Sequence, residues 1–295
     1  FTNAQAHATV AEQLYSREDD QSLINHFSTD LYLTVRLHAA HVLWIRGFPD
    51  QSNALGVQNV EIARSLNHPY SLSWALTWGA IPLLYRREHE ELLKSVEQGI
   101  CIAEEHGFAY TAAIGTMARG WALAQADARS EGIGQMRLGL ANFRKTGAGI
   151  VVPFFQTVLA EVLCDAGEKD EALSMIKPAM DQVERWGEHC QEAEIHRVRG
   201  ILFAAQPNPD IARAEASLIQ AIDIASKQGA KGWELRARVA LARLLYGENH
   251  LTQARAILAP LLSSFHEGAD TRDIREARDL LRTLSAADRD SVGTK

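Results

Sequence analysis

The sequence predicts an all-α fold, an α-solenoid of about six helix pairs that are each about forty residues long. The first observation is a turn residue, Gly or Asn, which recurs at intervals of 40, 40, 40, 42 and 39 and follows a helix-like segment each time. A glycine or asparagine in the left-handed conformation ends many helices. The six positions are Asn67, Gly107, Gly147, Gly187, Gly229 and Gly268.

The second observation is a set of columns in which small residues recur. Thirteen residues after each of the first five turn residues, no side chain is larger than a methyl group, at Ala80, Gly120, Ala160, Gly200 and Ala242. A second column, mainly of Gly and Ala, follows twelve to fourteen residues later, at Leu92, Gly132, Ala172, Ala214 and Ala254. Two helices pack closely only where one of them lacks bulk, and a single pair cannot bury its own apolar face. The units are therefore predicted to stack.

The third observation is composition, which is typical of a helical chain. Charged residues make up 23% of the sequence and aromatic residues 7%, and only 8 prolines occur in 295 residues. Pro82, Pro178 and Pro260 fall inside predicted helices, which they should kink unless they lie in a first turn. Pro153 is predicted to open a helix.

Taken in order, the chain begins with a helix or partial repeat at 1–29, followed by one elongated superhelical domain at 30–285. The units of that domain are predicted at 30–69, 70–108, 109–148, 149–188, 189–230 and 231–269. Two extra residues in Gln206–Pro209 explain the interval of 42. An amphipathic helix at 271–284 is predicted to cover the last apolar face, and residues 286–295 are predicted to be a polar tail.

The alternation of small and large residues resembles the tetratricopeptide repeat. The resemblance is to this skeleton alone, because the usual Trp and closing Pro are mostly missing and the unit is longer than the roughly 34 residues of that repeat. It implies a right-handed superhelix in which the first helix of each pair lines a concave groove. Because the unit is longer, we expect helices longer than those of the standard repeat.

Placed on that geometry, nine residues are candidates for binding in the groove. They are Trp74, Trp121, Phe154, Glu161, Glu194, Arg197, Arg236, Arg243 and Tyr246. The lining changes from aromatic to charged along the chain, which suits a peptide or helix with one apolar and one charged end. Two plainer interpretations remain open. The aromatic residues would pack between adjacent first helices, and the arginines would pair with Glu192, Glu194 and Glu234.

The sequence contains no motif that would indicate an enzyme. It has no GxxxxGK[ST] phosphate loop, no GxGxxG after a strand, no GxSxG nucleophile turn and no HExxH zinc motif. His38 and His41 lie three positions apart on a predicted helix, but no third ligand is placed to complete a metal shell. The three cysteines form no CxxC pair and are expected to be reduced thiols. We predict no catalytic residue, no cofactor and no metal.

Charge and hydropathy exclude two further classes of partner. The net charge of −7, with arginines spread through the units, argues against direct binding of nucleic acid. No run of eighteen apolar residues or signal-peptide pattern occurs, so we expect a cytoplasmic protein with no membrane partner. The start at Phe1 without Met indicates a fragment or a processed product.

Several longer blocks resemble the C-terminal repeat region of large bacterial signalling proteins. The blocks begin at Gly47 (GFPDQ), Ala63 (ARSLNHPYSL), Arg119 (RGWALA), Glu192 (EAEIHR), Gln228 (QGAKGWELRA) and Glu267 (EGADTRD). In that family a class III nucleotide cyclase domain, or a winged-helix DNA-binding domain, is followed by a P-loop ATPase and then by the repeats. None of the cyclase metal carboxylates and none of the ATPase motifs occurs in this chain. The resemblance therefore implies the non-catalytic part of such a protein.

Three functional hypotheses follow. The chain is a sensor module that binds a protein or peptide in its groove and regulates an attached cyclase or ATPase. Alternatively, it binds a small metabolite, as an inducer-binding module of a transcriptional regulator. The third hypothesis is a scaffold for homo-oligomerisation, such as a homodimer.

Overall fold

The fold is entirely helical over the residues that the computed structural model describes, 1–15 and 29–293, with no β-strand among them. Side chains are described as far as residue 287. The helices of residues 1–155 are α1 (Thr2–Leu14), α2 (Leu31–Ile45), α3 (Pro49–Ser65), α4 (Pro69–Thr77), α5 (Ile81–Arg86), α6 (His89–His106), α7 (Ala109–Gln125) and α8 (Arg129–Lys145). Those that follow are α9 (Val152–Asp165), α10 (Lys169–Trp186), α11 (Glu192–Ala205), α12 (Ile211–Gln228), α13 (Lys231–Gly247), α14 (Leu251–Leu262) and α15 (Arg272–Gly293). The predicted all-α class is confirmed.

The chain divides into two compact units, Phe1–Phe155 and Gln156–Lys295, with the boundary inside α9. In the first unit, α2 packs on α3, the α4–α5 segment packs on α6, and α7 packs on α8. In the second unit, α11 packs on α12, α13 packs on α14, and α15 packs on both α13 and α14.

The six recurring turn residues all adopt the left-handed conformation. Their φ angles lie between 53° at Asn67 and 80° at Gly147, with Gly107 at 74° and Gly187 at 69°. A second left-handed series, which the sequence analysis did not detect, closes the first helix of several pairs. Its members are Gly47, Arg87, Asp127, Gly167 and Asn249. Because three of these five are not glycine, composition alone does not reveal the column.

The two small-residue columns mark the places where the helices of a pair approach most closely. A Cβ atom added to Gly120 of α7 would lie 2.6 Å from the Gly132 carbonyl oxygen of α8 and 2.7 Å from Met136 Cγ. Ala160, Ala172, Ala214, Ala242 and Ala254 are fully buried. The columns therefore hold pairs of helices together by backbone contact, as their spacing predicted.

The prolines act locally and in different ways. A 3-10 turn at Trp78–Ala80 separates α4 from α5, and Pro82 lies in the first turn of α5. Pro153 is the second residue of α9, in agreement with its predicted role. Pro178 and Pro260 lie inside α10 and α14.

The final helix is longer than predicted. It was expected at 271–284 with a polar tail at 286–295, but α15 continues to Gly293 because Ala286 and Ala287 favour helix and no Gly or Pro occurs before that residue. Ile274, Ala277 and Leu284 are buried in the same cluster as Leu245 of α13 and Leu258 of α14. Of the predicted N-terminal element at 1–29, residues 16–28 lie outside the described part of the chain.

Candidate functional site: two faces built on first helices

Five charged side chains of the second unit join four helices in one chain of ion pairs. We call this set the ion-pair ladder, and it consists of Glu161 (α9), Arg197 and Glu194 (α11), Arg236 (α13) and Asp273 (α15). Glu194 and Asp273 lie in the first turns of their helices, where the helix dipole favours a negative charge. The ladder therefore runs across the first helices of successive repeats, α9, α11 and α13, to the final helix α15.

Four hydrogen bonds of the ladder are 2.7 or 2.8 Å long, and the one from Arg236 to Glu194 is longer. Arg197 donates from Nε and Nη2 to the two oxygens of Glu194, at 2.8 and 2.7 Å, and from Nη2 to Glu161 Oε1 at 2.7 Å. Arg236 donates to Glu194 Oε1 at 3.5 Å and to Asp273 Oδ2 at 2.8 Å. The two parallel bonds between Arg197 and Glu194 are the geometry in which guanidinium and carboxylate groups bind most strongly.

Burial makes the ladder a structural element rather than a free surface. The side chains of Arg197, Glu194 and Arg236 expose 4, 5 and 7% of their area. Burial alone would lower the pKa of Arg197, but the carboxylates of Glu161 and Glu194 outweigh it and raise the pKa above its usual value. Glu161, at 32% exposure, is the ladder residue that reaches solvent most.

The expected pairing of arginines with glutamates is found, with different details. Arg197 pairs with Glu194, and Arg238 of α13 pairs with Glu234 at 2.6 Å. Glu192 instead contacts His189. Arg199 donates to Ser217 and Gln220. Of the predicted groove residues, Glu194, Arg197 and Arg236 are therefore buried and take part in ion pairs within the protein.

Arg243 and Tyr246, near the end of α13, differ from the ladder because both are exposed. Arg243 Nη2 lies 3.0 Å from Glu276 Oε2 on α15, and Arg272 Nε lies 2.9 Å from Glu276 Oε1. These α15 residues and Asp273 were not among the sequence candidates. Arg236 and Asp273 are 37 residues apart, and Glu161 and Arg197 are 36 apart. A search for opposite charges about one repeat apart would have found them.

In the first unit, five aromatic rings follow one another across consecutive repeats. We call this set the aromatic line: His38 (α2), Trp78 (the 3-10 turn), Trp74 (α4), Tyr110 (α7) and Phe143 (α8). Successive ring centroids are 5.9, 5.8, 5.5 and 5.0 Å apart. These spacings are those of favourable aromatic pairs. His38 is exposed, Trp74 and Tyr110 are half-buried, and Phe143 is buried.

The other predicted aromatic candidates lie in the core. Trp121 exposes 6% of its surface and Phe154 exposes 1%. The Phe154 ring contacts Tyr85 edge-on, with centroids 5.6 Å apart, and also contacts Phe155. The plainer interpretation, packing between helices, therefore describes these two residues, whereas Trp74 keeps part of its ring at the surface.

His41 supports the aromatic line by repairing a defect in the helix beside it. Pro82 has no N–H to donate to the Trp78 carbonyl, its helical acceptor four residues earlier. Ile81 N–H donates to that carbonyl instead, and His41 Nε2 donates to it at 3.0 Å. His41 Nδ1 is then an acceptor facing the Tyr85 hydroxyl, 3.4 Å away. Burial, followed by the nearby His38, lowers the pKa of His41 to about 3, so the ring is neutral.

A metal site at the two histidines is not supported by their geometry. The His38 and His41 ring centroids are 6.4 Å apart, and both nitrogens of His41 face protein oxygens. Within residues 1–15 and 29–293, no three His, Cys, Asp or Glu side chains are placed to hold a metal ion.

No helix in the same ranges is long and apolar enough to cross a bilayer.

Two solved structures that resemble this chain share its fold. The apo form of RapI matches 96% of this chain and 91% of its own length, with a TM-score of 0.59 and 12% sequence identity. NprR, solved in complex with its cognate peptide NprX, matches 96% of this chain and 82% of its own length, with a TM-score of 0.58 and 12% identity. The fold is a tetratricopeptide-like helical solenoid.

The sequence comparisons add one relative of much greater length. An uncharacterized protein of Rhizobium meliloti (strain 1021) is 28% identical to this chain over 202 residues. The match covers 68% of this chain and 20% of that protein, so the chain corresponds to about a fifth of its relative. No family model matches the chain.

Proposed function

We propose that this chain is a non-catalytic sensor module that binds a peptide, or a peptide-like segment of a protein, on the first helices of its repeats. The observation that carries the proposal is the aromatic line, whose rings reach solvent at His38, Trp74 and Tyr110 on three consecutive first helices. The peptide complex of NprR, which has the same fold, supports this proposal.

The aromatic line offers the two properties that peptide recognition needs. Trp and Tyr rings supply a large apolar contact area and lose little conformational entropy on binding, and they dominate the binding energy of many interfaces. The Trp74 ring is held by Trp78, stacked at 17°, and by Tyr110, so its position is fixed before a ligand arrives. A rigid surface of this kind reduces the entropic cost of association.

Peptide selection tests the proposal directly. Random twelve-residue peptides displayed on phage are selected on the purified chain, and the affinities of enriched peptides are measured by fluorescence anisotropy. We expect Trp74→Ala to weaken binding by at least about tenfold, because it removes a central aromatic contact. Trp186→Ala is the matched control, since Trp186 is 52% exposed on α10 and lies outside the aromatic line.

Two results would count against the proposal. One is the absence of any enriched peptide. The other is an equal loss of affinity in the Trp74 and Trp186 variants.

A thermal-shift screen with metabolites tests the alternative hypothesis that the chain binds a small inducer, because a ligand present at 100 times its Kd stabilises the fold by about 2.7 kcal/mol. Shifts with a metabolite but not with peptides would favour that hypothesis.

We also propose that, within a longer protein, this module regulates an attached nucleotide cyclase or ATPase. The motive is the resemblance of its sequence blocks to the repeat region of such proteins, together with the greater length of the Rhizobium meliloti relative, of which the match covers 20%. The test is to assay cyclase and ATPase activity of the longer protein with and without a selected peptide. Unchanged activity at saturating peptide would contradict this part of the proposal.

A further inference from the structure

We propose that the indole N–H of Trp78 donates a hydrogen bond to the bound peptide, which supplies the carbonyl oxygen of an uncharged amide. His38 covers this N–H until the ligand binds. The proposal rests on the peptide-binding function above and specifies one chemical feature of the ligand. Both residues belong to the aromatic line and to the first compact unit.

The indole nitrogen of Trp78 is the observation that points to a ligand. The residue is 8% exposed, and its Nε1 atom is buried without a hydrogen-bond partner in the part of the chain that the structure describes. A buried donor without an acceptor is costly, because it has lost its bond to water and gained none within the protein. Such groups are uncommon in native proteins. A ligand acceptor would supply the missing bond.

Neighbouring buried polar groups have partners, so the indole N–H is a local exception. Ser73 Oγ donates to the Gly99 carbonyl at 3.0 Å, and Thr77 Oγ1 donates to the Ser73 carbonyl at 2.8 Å. His41 uses both of its ring nitrogens, and one of them donates to the Trp78 carbonyl. The protein therefore satisfies the backbone of Trp78 and leaves its side-chain donor without an acceptor.

The surroundings of this donor favour an uncharged ligand group. No residue of 69–85 carries a charged side chain, and neither does any residue of 109–118. Arg36 of α2 is buried, donates to Asn59 at 3.0 Å and lies 3.6 Å from Glu12. A charged ligand group placed here would lose its hydration without gaining an opposite charge. An amide carbonyl is the neutral acceptor that every peptide carries.

Access to the N–H requires a neighbouring ring to move, and the contacts assign that movement to His38. Among the described residues, the rings that contact Trp78 are those of His41, Trp74 and His38, at 4.4, 5.8 and 5.9 Å. His41 is buried, and Trp74 is half-buried between two rings of the aromatic line. His38 is exposed, and its Nδ1 donates to the Thr34 carbonyl of its own helix. Exposed side chains of this kind change rotamer rapidly.

NMR of the indole N–H signals tests the donor in the unmodified full chain. The chain has 6 tryptophans, whose signals are assigned with single Trp→Phe variants. The probe is acetyl-leucine methylamide, an uncharged molecule with two amide carbonyls and one apolar side chain. We expect a saturable downfield shift of the Trp78 signal, with a Kd on the order of 1 mM. Trp233, buried in the second unit, is expected to show no shift. A non-saturating shift, or an equal shift at Trp233, would overturn the proposal.

An isostere of tryptophan separates the N–H from the shape of the ring. Benzothienylalanine at position 78 replaces the N–H by sulfur and is expected to weaken probe binding by about fivefold or more. The midpoint of urea denaturation is expected not to fall, because the donor has no partner to lose. The same replacement at Trp186, exposed and outside the aromatic line, is expected to leave the affinity unchanged. Unchanged affinity in the variant at position 78, or a lowered midpoint, would overturn the proposal.

Hydrogen exchange of the same signal tests the role of His38. His38→Ala removes the exposed ring and is expected to speed deuterium exchange at the Trp78 indole by about tenfold or more. His106→Ala, which removes an exposed histidine of α6, is the control and is expected to leave the rate unchanged. An equal rate in wild type and His38→Ala would show that His38 does not cover the N–H.

Failure of this proposal is distinguishable from failure of peptide binding. If selected peptides bind but neither they nor the probe shift the Trp78 signal, the donor is wrong and peptide binding stands. If the probe binds at Trp78 but no peptide is enriched, peptide binding is wrong and the donor serves a smaller amide.

Discussion

At the residue scale, a few backbone conformations and one histidine determine how the helices end and bend. Each repeat closes on a left-handed residue, which glycine adopts without the steric cost that a Cβ atom imposes. At Gly107 that cost can be isolated, because an added Cβ would meet no heavy atom within 4 Å. The effect of a substitution there is purely one of backbone conformation.

Gly107→Ala is accordingly expected to lower the free energy of unfolding by about 1 kcal/mol, since φ is 74° at this position. Gly134→Ala is the control. Gly134 lies inside α8, also with nothing within 4 Å, and alanine there is expected to stabilise the helix by about 0.5–1 kcal/mol. Urea denaturation of both variants measures the difference. If both variants changed the free energy of unfolding in the same direction, the left-handed conformation would not explain the glycine at position 107.

His41 makes stability depend on pH in a predictable direction. The pKa of His41 is about 3 in the folded protein and 6.5 when unperturbed. Below pH 6.5, the imidazole is therefore protonated in the unfolded chain but stays neutral in the folded chain. The stabilisation is complete above pH 6.5 and is lost as the pH falls towards 3, at a slope of about 1.4 kcal/mol per pH unit.

His41→Gln tests this, because glutamine keeps an N–H that can reach the Trp78 carbonyl but does not titrate. Between pH 7.5 and 5.0, the difference in unfolding free energy between wild type and variant is expected to change by about 2 kcal/mol in favour of the variant. Other titrating groups cancel in the comparison. A difference that is independent of pH would show that His41 is not buried and neutral.

At the element scale, the protein uses two different means to join helices. Small residues let the helices of one pair touch, as at Gly120 and Gly132, whereas the ion-pair ladder joins first helices of successive repeats. The small-residue contacts could be predicted from the sequence, because Gly and Ala recur at a fixed spacing. The ladder was only partly visible, since Glu161 and Asp273, which pair with Arg197 and Arg236 from about one repeat away, were not among the partners expected from the sequence.

Removing a central carboxylate of the ladder should be costly. Glu194→Gln leaves Arg197 and Arg236 buried with weaker partners, and loss of one member of a buried ion pair typically costs about 3–5 kcal/mol. Glu192→Gln, on the same helix and in contact with His189, is expected to change stability by less than about 0.5 kcal/mol. Urea denaturation at pH 7 compares the two. Similar small losses would show that the ladder is not energetically coupled.

At the scale of the whole molecule, the repeat period specified the fold class, because every unit repeats the same packing problem. It did not specify the division near Phe155, since the column residues continue unchanged through α9. Nor did it separate binding residues from packing residues. Helical phase placed both Trp74 and Trp121 on the groove side of their first helices, yet the first is half-buried and the second is buried, because exposure depends on neighbouring side chains that the period does not describe.

Ligands are proposed to bind on the first helices of the repeats. Amide hydrogen exchange, measured with and without a saturating selected peptide, tests it most directly, because a bound peptide slows the opening of the helices that it contacts. We predict slower exchange in α4 and α7, which carry Trp74 and Tyr110, with little change in the second helices α3 and α10. Protection confined to second helices, or absent throughout, would contradict the claim.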